Sequence, residues 1–164
     1  MTTEKPLRIG LVGARFAASF HYESLRAVRG VPVAVVGVTS PSPESRERFA
    51  AARGLRAFAN FAELAAECDA LVLCTPPVTH EPLTLQAAAL GRHVIVEKPF
   101  TGSFLNQQQY EAQAERRFSF CEQRYREAVA SAQRMIAAVQ QAGVLLCFAE
   151  NWHFLPAGLK AGRL

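Results

Sequence analysis

The sequence predicts an α/β protein built on a doubly wound parallel sheet, and three observations carry that expectation. Six short apolar runs alternate with segments of helical period, the spacing of right-handed βαβ crossovers. The second run, Val31–Val38 (VPVAVVGV), is apolar almost throughout, as a strand covered on both faces must be. Capping and stopping residues fall at the borders between runs. The order expected for such a sheet is 3-2-1-4-5-6.

Taken in order, Leu7, Ile9, Leu11 and Val12 form the first strand, which ends at Gly13. A helix follows with Ala18, His21, Leu25 and Val28 on one face. After the second strand, Ser42, Pro43 and Glu44 supply an N-cap, a first-turn proline and an early acid, and Gly54 ends that helix. Ala57 and Phe58 form a short third strand. Asn60 with Glu63 resembles a capping box, and Ala70–Cys74 is the fourth strand. Thr79 is placed to cap a helix that carries Leu83, Ala87 and Leu90 and stops at Gly91; His93–Val96 is the fifth strand. The polar, Gln-rich stretch from Thr101, about 101–117, reads as an inserted loop. Cys121, Tyr125, Val129, Ala132, Ile136 and Val139 then recur at helical spacing up to Gly143, and Val144–Phe148 is the sixth strand. From Pro156 a helix begins that runs out at Leu164 without a glycine cap, so the ending reads as a cut leading to an absent domain.

The composition narrows the function classes. A chain of 164 residues, 50% hydrophobic and 20% charged, suits one soluble domain with a proper core. The net charge of +4 is scattered, which argues against nucleic acid as a partner. Cys68, Cys74, Cys121 and Cys147 show no C-x-x-C spacing, and the apolar runs around Cys74 and Cys147 point to buried thiols in a reducing compartment, with no metal site. The start has no apolar signal core and no stretch reaches the ~18 apolar residues of a membrane span, so a cytoplasmic location is expected.

The first turn is the leading site candidate. A helix starting at a strand end offers unpaired N–H groups and a partial positive charge, which suit a phosphate. Against the fingerprint G-x-G-x-x-G/A, Gly13 fills the first place, Arg15 stands at the second and Ala18 at the third. Arg15 either pushes a cofactor outward or turns its guanidinium onto a phosphate. An ordinary strand-to-helix turn would read the same way. At the end of the second strand, Thr39 and Ser40 replace the acid that commonly binds a ribose 2′-hydroxyl, and Arg46 lies nearby. This leans toward NADP over NAD, although the same residues also suit a turn before Pro41.

The fourth strand ends in Cys74-Thr75-Pro76-Pro77 with His80 following, and the fifth ends in Glu97-Lys98-Pro99. The Gly13 turn followed by His21, the C-T-P-P-x-x-H segment, the V-I-V-E-K-P-F-T-G segment and the A-E-N-W-x-x-x-P segment together resemble the glucose-fructose oxidoreductase and inositol dehydrogenase family, Gfo/Idh/MocA. The resemblance spans nearly the whole chain, and E-K-P is its most particular element.

It implies a Rossmann domain over 1–155 from an NAD(P)-dependent oxidoreductase that moves hydride to or from a hydroxyl-bearing carbon of a sugar, polyol or related compound. Gly13, Ala14, Arg15 and Phe16 would line the pyrophosphate and ribose, Thr39 and Ser40 the adenosine end, and Thr75, Pro76 and His80 the middle of the cofactor. Glu97 and Lys98 would stand beside the nicotinamide, with Lys98 catalytic through its hold on the substrate oxygen. Asn151 and Trp152 would face the substrate. Blander readings stand beside these: a surface lysine at Lys98, a helix-start residue at His80, a packed core histidine at His21 and packing at Trp152. Family members carry a second domain that walls the substrate pocket, usually supplies the oligomer contact and brings the Asp and His partners of the E-K-P lysine. Its absence here leaves no evident general base. A cofactor-binding half, a stand-alone dinucleotide-binding or regulatory module, and an inactive fragment all remain open.

Overall fold

The computed structural model describes residues 5–102, 117–150 and 160. Six strands form one all-parallel sheet in the order β3-β2-β1-β4-β5-β6. They are β1 (Leu7–Val12), β2 (Val33–Thr39), β3 (Arg56–Phe58), β4 (Ala70–Leu73), β5 (His93–Glu97) and β6 (Leu146–Ala149). The helices are α1 (Phe16–Ala27), α2 (Pro43–Ala51), α3 (Phe61–Glu67), α4 (His80–Ala89) and α5 (Arg117–Ala142). The sheet order is the expected one. β2 starts two residues later than expected because Pro32 has no N–H to give; its carbonyl accepts from Leu7 N at 2.9 Å, and the paired register begins at Leu7↔Val33.

Strand alternation divides the core into two layers. On β4, Leu71 and Leu73 pack with Phe58, Leu64, Val94, Val96 and Met135. Ala70 and Val72 turn the other way, toward Ile9, Leu11, Tyr22, Val38 and Phe49. Both faces of the central strands are therefore covered, which is why they read as apolar runs.

Local capping chemistry is as expected at two helix starts. Ser42 Oγ accepts from Ser45 N at 3.2 Å. Asn60 Oδ1 accepts from Glu63 N at 2.9 Å, while Asn60 Nδ2 donates to Glu63 Oε1 at 2.7 Å. Thr79 differs. A 3₁₀ turn over Pro77–Thr79 precedes α4, and the Thr79 hydroxyl turns back to Thr75 Oγ1 and Pro76 O instead of capping forward.

Two helices bury part of the expected face, Ala18 and half-buried Leu25 in α1 and Val139 in α5, and depart from the rest of it. In α1 the buried residues are Ala18 and Tyr22, while Val28 lies past the helix end and is exposed. In α5 the buried residues are Ser131, Met135 and Val139; Val139 belongs to the expected stripe, whereas Ser131 and Met135 lie one residue before its Ala132 and Ile136, and Tyr125 and Ile136 face outward. Met135 joins the core layer of Leu71, Leu73, Val94 and Val96, while at the exposed edge of the α4 contact Arg134 Nη2 donates to Glu81 Oε2 at 2.9 Å. Cys147, expected inside, is exposed because β6 is the edge strand. Residues 103–116, Asn151, Trp152, the Cys121 side chain and the start of the helix expected from Pro156 lie outside the described residues. No helix among the described residues is long and apolar enough to cross a membrane.

Candidate functional site

The carboxyl ends of β1, β2, β4 and β5 meet above the sheet, the side on which open α/β sheets bind ligands. Gly13 is the pivot of this region. Its φ of +109° is one that a side chain rarely tolerates, and a Cβ there would lie 2.5 Å from the Cys74 carbonyl oxygen. Gly13 N donates to Thr39 O at 2.8 Å, and Cys74 N donates to Val12 O at 2.8 Å. The turn is thus held between the ends of β2 and β4, with α1 opening directly beyond it. Arg15 is the extended N-cap residue and gives no side-chain cap, and the first turn of α1 has no acid. Its amino end stays electropositive.

Beside that end lies a cleft of about 500 Å³, lined by Phe16, Phe20, His21, Thr75, Glu97 and Lys98 among others. Phe16 is 85% exposed and forms an aromatic rim. Cys74 also reaches the cleft; burial first, and the Glu97 charge second, push its thiol up to about 12, so it stays protonated near neutral pH.

His21 and Glu97 form the polar centre of this cleft. His21 Nε2 lies 2.8 Å from Glu97 Oε1, the two side chains being 15% and 17% exposed. The other Glu97 oxygen accepts from Lys98 N at 2.9 Å. Both carboxylate oxygens are engaged, and the Lys98 backbone is held by one of them. The Lys98 side chain is exposed, and among the described residues its ammonium has no ion-pair partner. The Lys98–Pro99 peptide is cis.

Sequence reasoning put His21 in the core; the structure puts it in the cleft. The available signal was spacing, since Ala17 and His21 are four residues apart on the α1 face that lines the cleft. His80 is wholly buried, its Nε2 3.0 Å from Thr75 O and its Nδ1 3.1 Å from Pro99 O. Its ring therefore meets the site through two carbonyls. Thr39 is buried as well, and its hydroxyl donates to Phe58 O at 3.1 Å. Ser40 is held through its carbonyl, which accepts from Arg46 Nη1 at 3.2 Å. Phe16, Thr75, Glu97 and Lys98 line one cleft, whereas Gly13, Ala14, Arg15, Thr39, Ser40, Pro76 and His80 are outside that lining. Among the described residues no group of His, Cys, Asp or Glu could hold a metal ion.

The family model for Gfo/Idh/MocA, an oxidoreductase family with an NAD-binding Rossmann fold, matches residues 7–125, more than half of the chain. Inositol 2-dehydrogenase 4 of Saccharopolyspora erythraea is 39% identical over 103 residues, which make up 60% of this chain and 30% of that protein. GenD2 from gentamicin A biosynthesis, solved in complex with NAD, has a TM-score of 0.76 at 25% identity, over 99% of this chain and 40% of that one. The WlbA dehydrogenase from Bordetella pertussis, in complex with NADH and UDP-GlcNAcA, has a TM-score of 0.70 at 26% identity, over 94% of this chain and 38% of that one. This chain spans less than half the length of these relatives. With its sheet order, glycine turn and strand-end cleft all in agreement with that match, the chain belongs to the Gfo/Idh/MocA oxidoreductase family through its NAD-binding Rossmann fold.

Proposed function

We propose that the chain is the cofactor-binding part of an oxidoreductase that moves hydride between a nicotinamide dinucleotide and a hydroxyl-bearing carbon of a sugar, polyol or related small molecule. The observation that carries this reading is the meeting, at one cleft, of the α1 amino end with Thr75, Glu97 and Lys98. The residues fit such a cofactor. Gly13, with its positive φ and no Cβ to strike the Cys74 carbonyl, makes the tight turn that sets the α1 amino end at the strand ends, and no acid in the first turn of α1 opposes a pyrophosphate. The bound nicotinamide would supply the hydride chemistry. Gly13, Ala14, Arg15 and Phe16 would hold the pyrophosphate and ribose, and Thr75 and Pro76 the middle of the cofactor, with Glu97 and Lys98 at its nicotinamide end; His80, expected from the sequence to join them, is wholly buried and would act only from behind, through the Thr75 and Pro99 carbonyls.

Lys98 is the residue positioned to touch substrate. Its ammonium would hold a substrate oxygen and stabilise charge developing there. Glu97 is better suited to orient Lys98 than to accept a proton, because both its oxygens are already engaged. Asn151 and Trp152 would complete the substrate side.

At the adenosine end the reading leans to NADP. The nearest acid after β2, Glu44, pairs with Arg48 at 3.4 Å on exposed α2, while Arg46 is drawn to the Ser40 carbonyl. A 2′-phosphate there would meet a cation and no carboxylate.

Titration of the purified chain with NADPH and NADH, followed by the fluorescence of the reduced nicotinamide, tests this. Saturable binding with NADPH tighter is expected. Tighter NADH binding overturns the NADP preference, and no binding of either overturns the cofactor site.

A further inference from the structure

We infer that His80 is a positioning residue that ties the loop leaving β4 to the loop leaving β5, and so sets the separation of Thr75 from Lys98. This rests on the dinucleotide site proposed above. The paired register of β4 and β5 ends at Leu73↔Val96, and the two chains then run on as loops. Those loops are poor in donors: Pro76, Pro77 and Pro99 have no N–H. Among the described residues no backbone hydrogen bond joins Thr75–Val78 to Lys98–Phe100. A side chain supplies the missing rung. His80, the first residue of α4, is 0% exposed, with Nε2 3.0 Å from Thr75 O and Nδ1 3.1 Å from Pro99 O. A neutral ring donates to one of these carbonyls, and a protonated ring donates to both.

The loops so joined are the ones that carry the candidate chemistry. Thr75 lines the cleft, and its hydroxyl accepts from Thr79 Oγ1 at 2.6 Å. Lys98 is held on one side by Glu97, which accepts its N–H, and on the other by His80 at the next carbonyl, Pro99 O. Loosening His80 should therefore disturb the nicotinamide end of the cleft and leave the adenosine end at β2 alone. That asymmetry separates positioning from a general contribution to stability.

Three variants divide the role. His80→Phe keeps a ring and removes every hydrogen bond the imidazole gives to Thr75 O and Pro99 O. His80→Asn puts an amide nitrogen near the position of Nδ1 and keeps the link to Pro99, while His80→Gln puts one near Nε2 and keeps the link to Thr75. In the ligand-free protein, amide hydrogen exchange at Thr79 and Lys98, which donate to Pro76 O and Glu97 Oε2, should be about ten-fold faster in His80→Phe, with β1 amides unchanged. Asn should restore Lys98, and Gln should restore Thr79. Affinity for NADPH should fall about ten-fold in His80→Phe while that for 2′,5′-ADP stays within about two-fold. Exchange that rises evenly across the sheet, loops that keep their original rates, or equal losses for both ligands would overturn the inference. If the unaltered protein binds neither NADPH nor NADH, the dinucleotide reading fails, and the exchange pattern still decides the role of His80.

Discussion

The two ends of the sheet hold the same kinds of parts and use them differently. At the amino end of the strands, Arg8 grips Asp69 through Nη2 at 2.7 Å and Nε at 3.2 Å, and its backbone N adds a third bond at 2.9 Å. These hydrogen bonds hold the Asp69 carboxyl down at about 2. The pair spends its bonding capacity on itself and staples β1 to the entry of β4. The hollow beside it, about 740 Å³ and lined by Leu7, Val31 and Pro32 among others, is the larger of the two. At the carboxyl end the smaller cleft holds a half-buried pair, His21 and Glu97, that leaves an exposed lysine beside it. Volume therefore does not locate the site. The amino ends of α1 and α4 follow the carboxyl ends of β1 and β4, so only that side combines helix N–H groups with strand-end side chains.

Glycine substitutions should sharpen this contrast most. Gly13→Ala meets both a positive φ and the Cys74 carbonyl, and is expected to cost about 3 kcal/mol or more and to abolish cofactor binding. Gly30, at the opposite end, has φ +86° but open space around its Cβ position, so Gly30→Ala should cost only about 1 kcal/mol. Denaturant unfolding of the two variants checks the difference; equal losses would break the comparison.

The charged pairs should differ next. His21→Phe leaves a Glu97 oxygen without its partner in a half-buried place, an expected loss of about 2 kcal/mol. Asp69→Asn, at an exposed pair, should cost less at neutral pH. Its effect should appear in acid. The folded carboxyl titrates below its ordinary 3.8, at about 2, so its stabilisation is complete above that ordinary value and is lost as pH falls through about 2. Asp69→Asn should flatten that part of the acid limb in a stability-versus-pH series.

The smallest effect concerns the thiols. Exposed Cys147 should be alkylated readily by iodoacetamide, whereas Cys74 and Cys68, both pushed up to about 12 mainly by burial, should resist. Mass mapping after brief labelling distinguishes them, and fast labelling of Cys74 would mean that the cleft is more open than its geometry indicates.

Much of the fold was legible because its causes are local. Ser42 and Asn60 cap their helices through residues three positions away, and the apolar runs mark strands covered on both faces. The helix phases were harder. Met135 and Ile136 are adjacent and both apolar, so periodicity alone could not choose between them; packing against Leu71, Leu73, Val94 and Val96 takes Met135. In the site, the E-K-P and C-T-P-P segments stood out, but His21 was hidden by its apolar neighbours on α1. Thr79 looked like a cap, and the prolines before it turned its hydroxyl back to Thr75.

By itself the sequence determined the strand order, the glycine turn and the helix starts, since these follow from alternation, backbone freedom and hydrogen bonds within one turn. Only the tertiary structure decided that His21 meets Glu97, 76 residues away, and that His80 reaches both Thr75 and Pro99. Those partners depend on how helices rotate against the sheet and where loops end, and such distances arise only when the whole chain has packed.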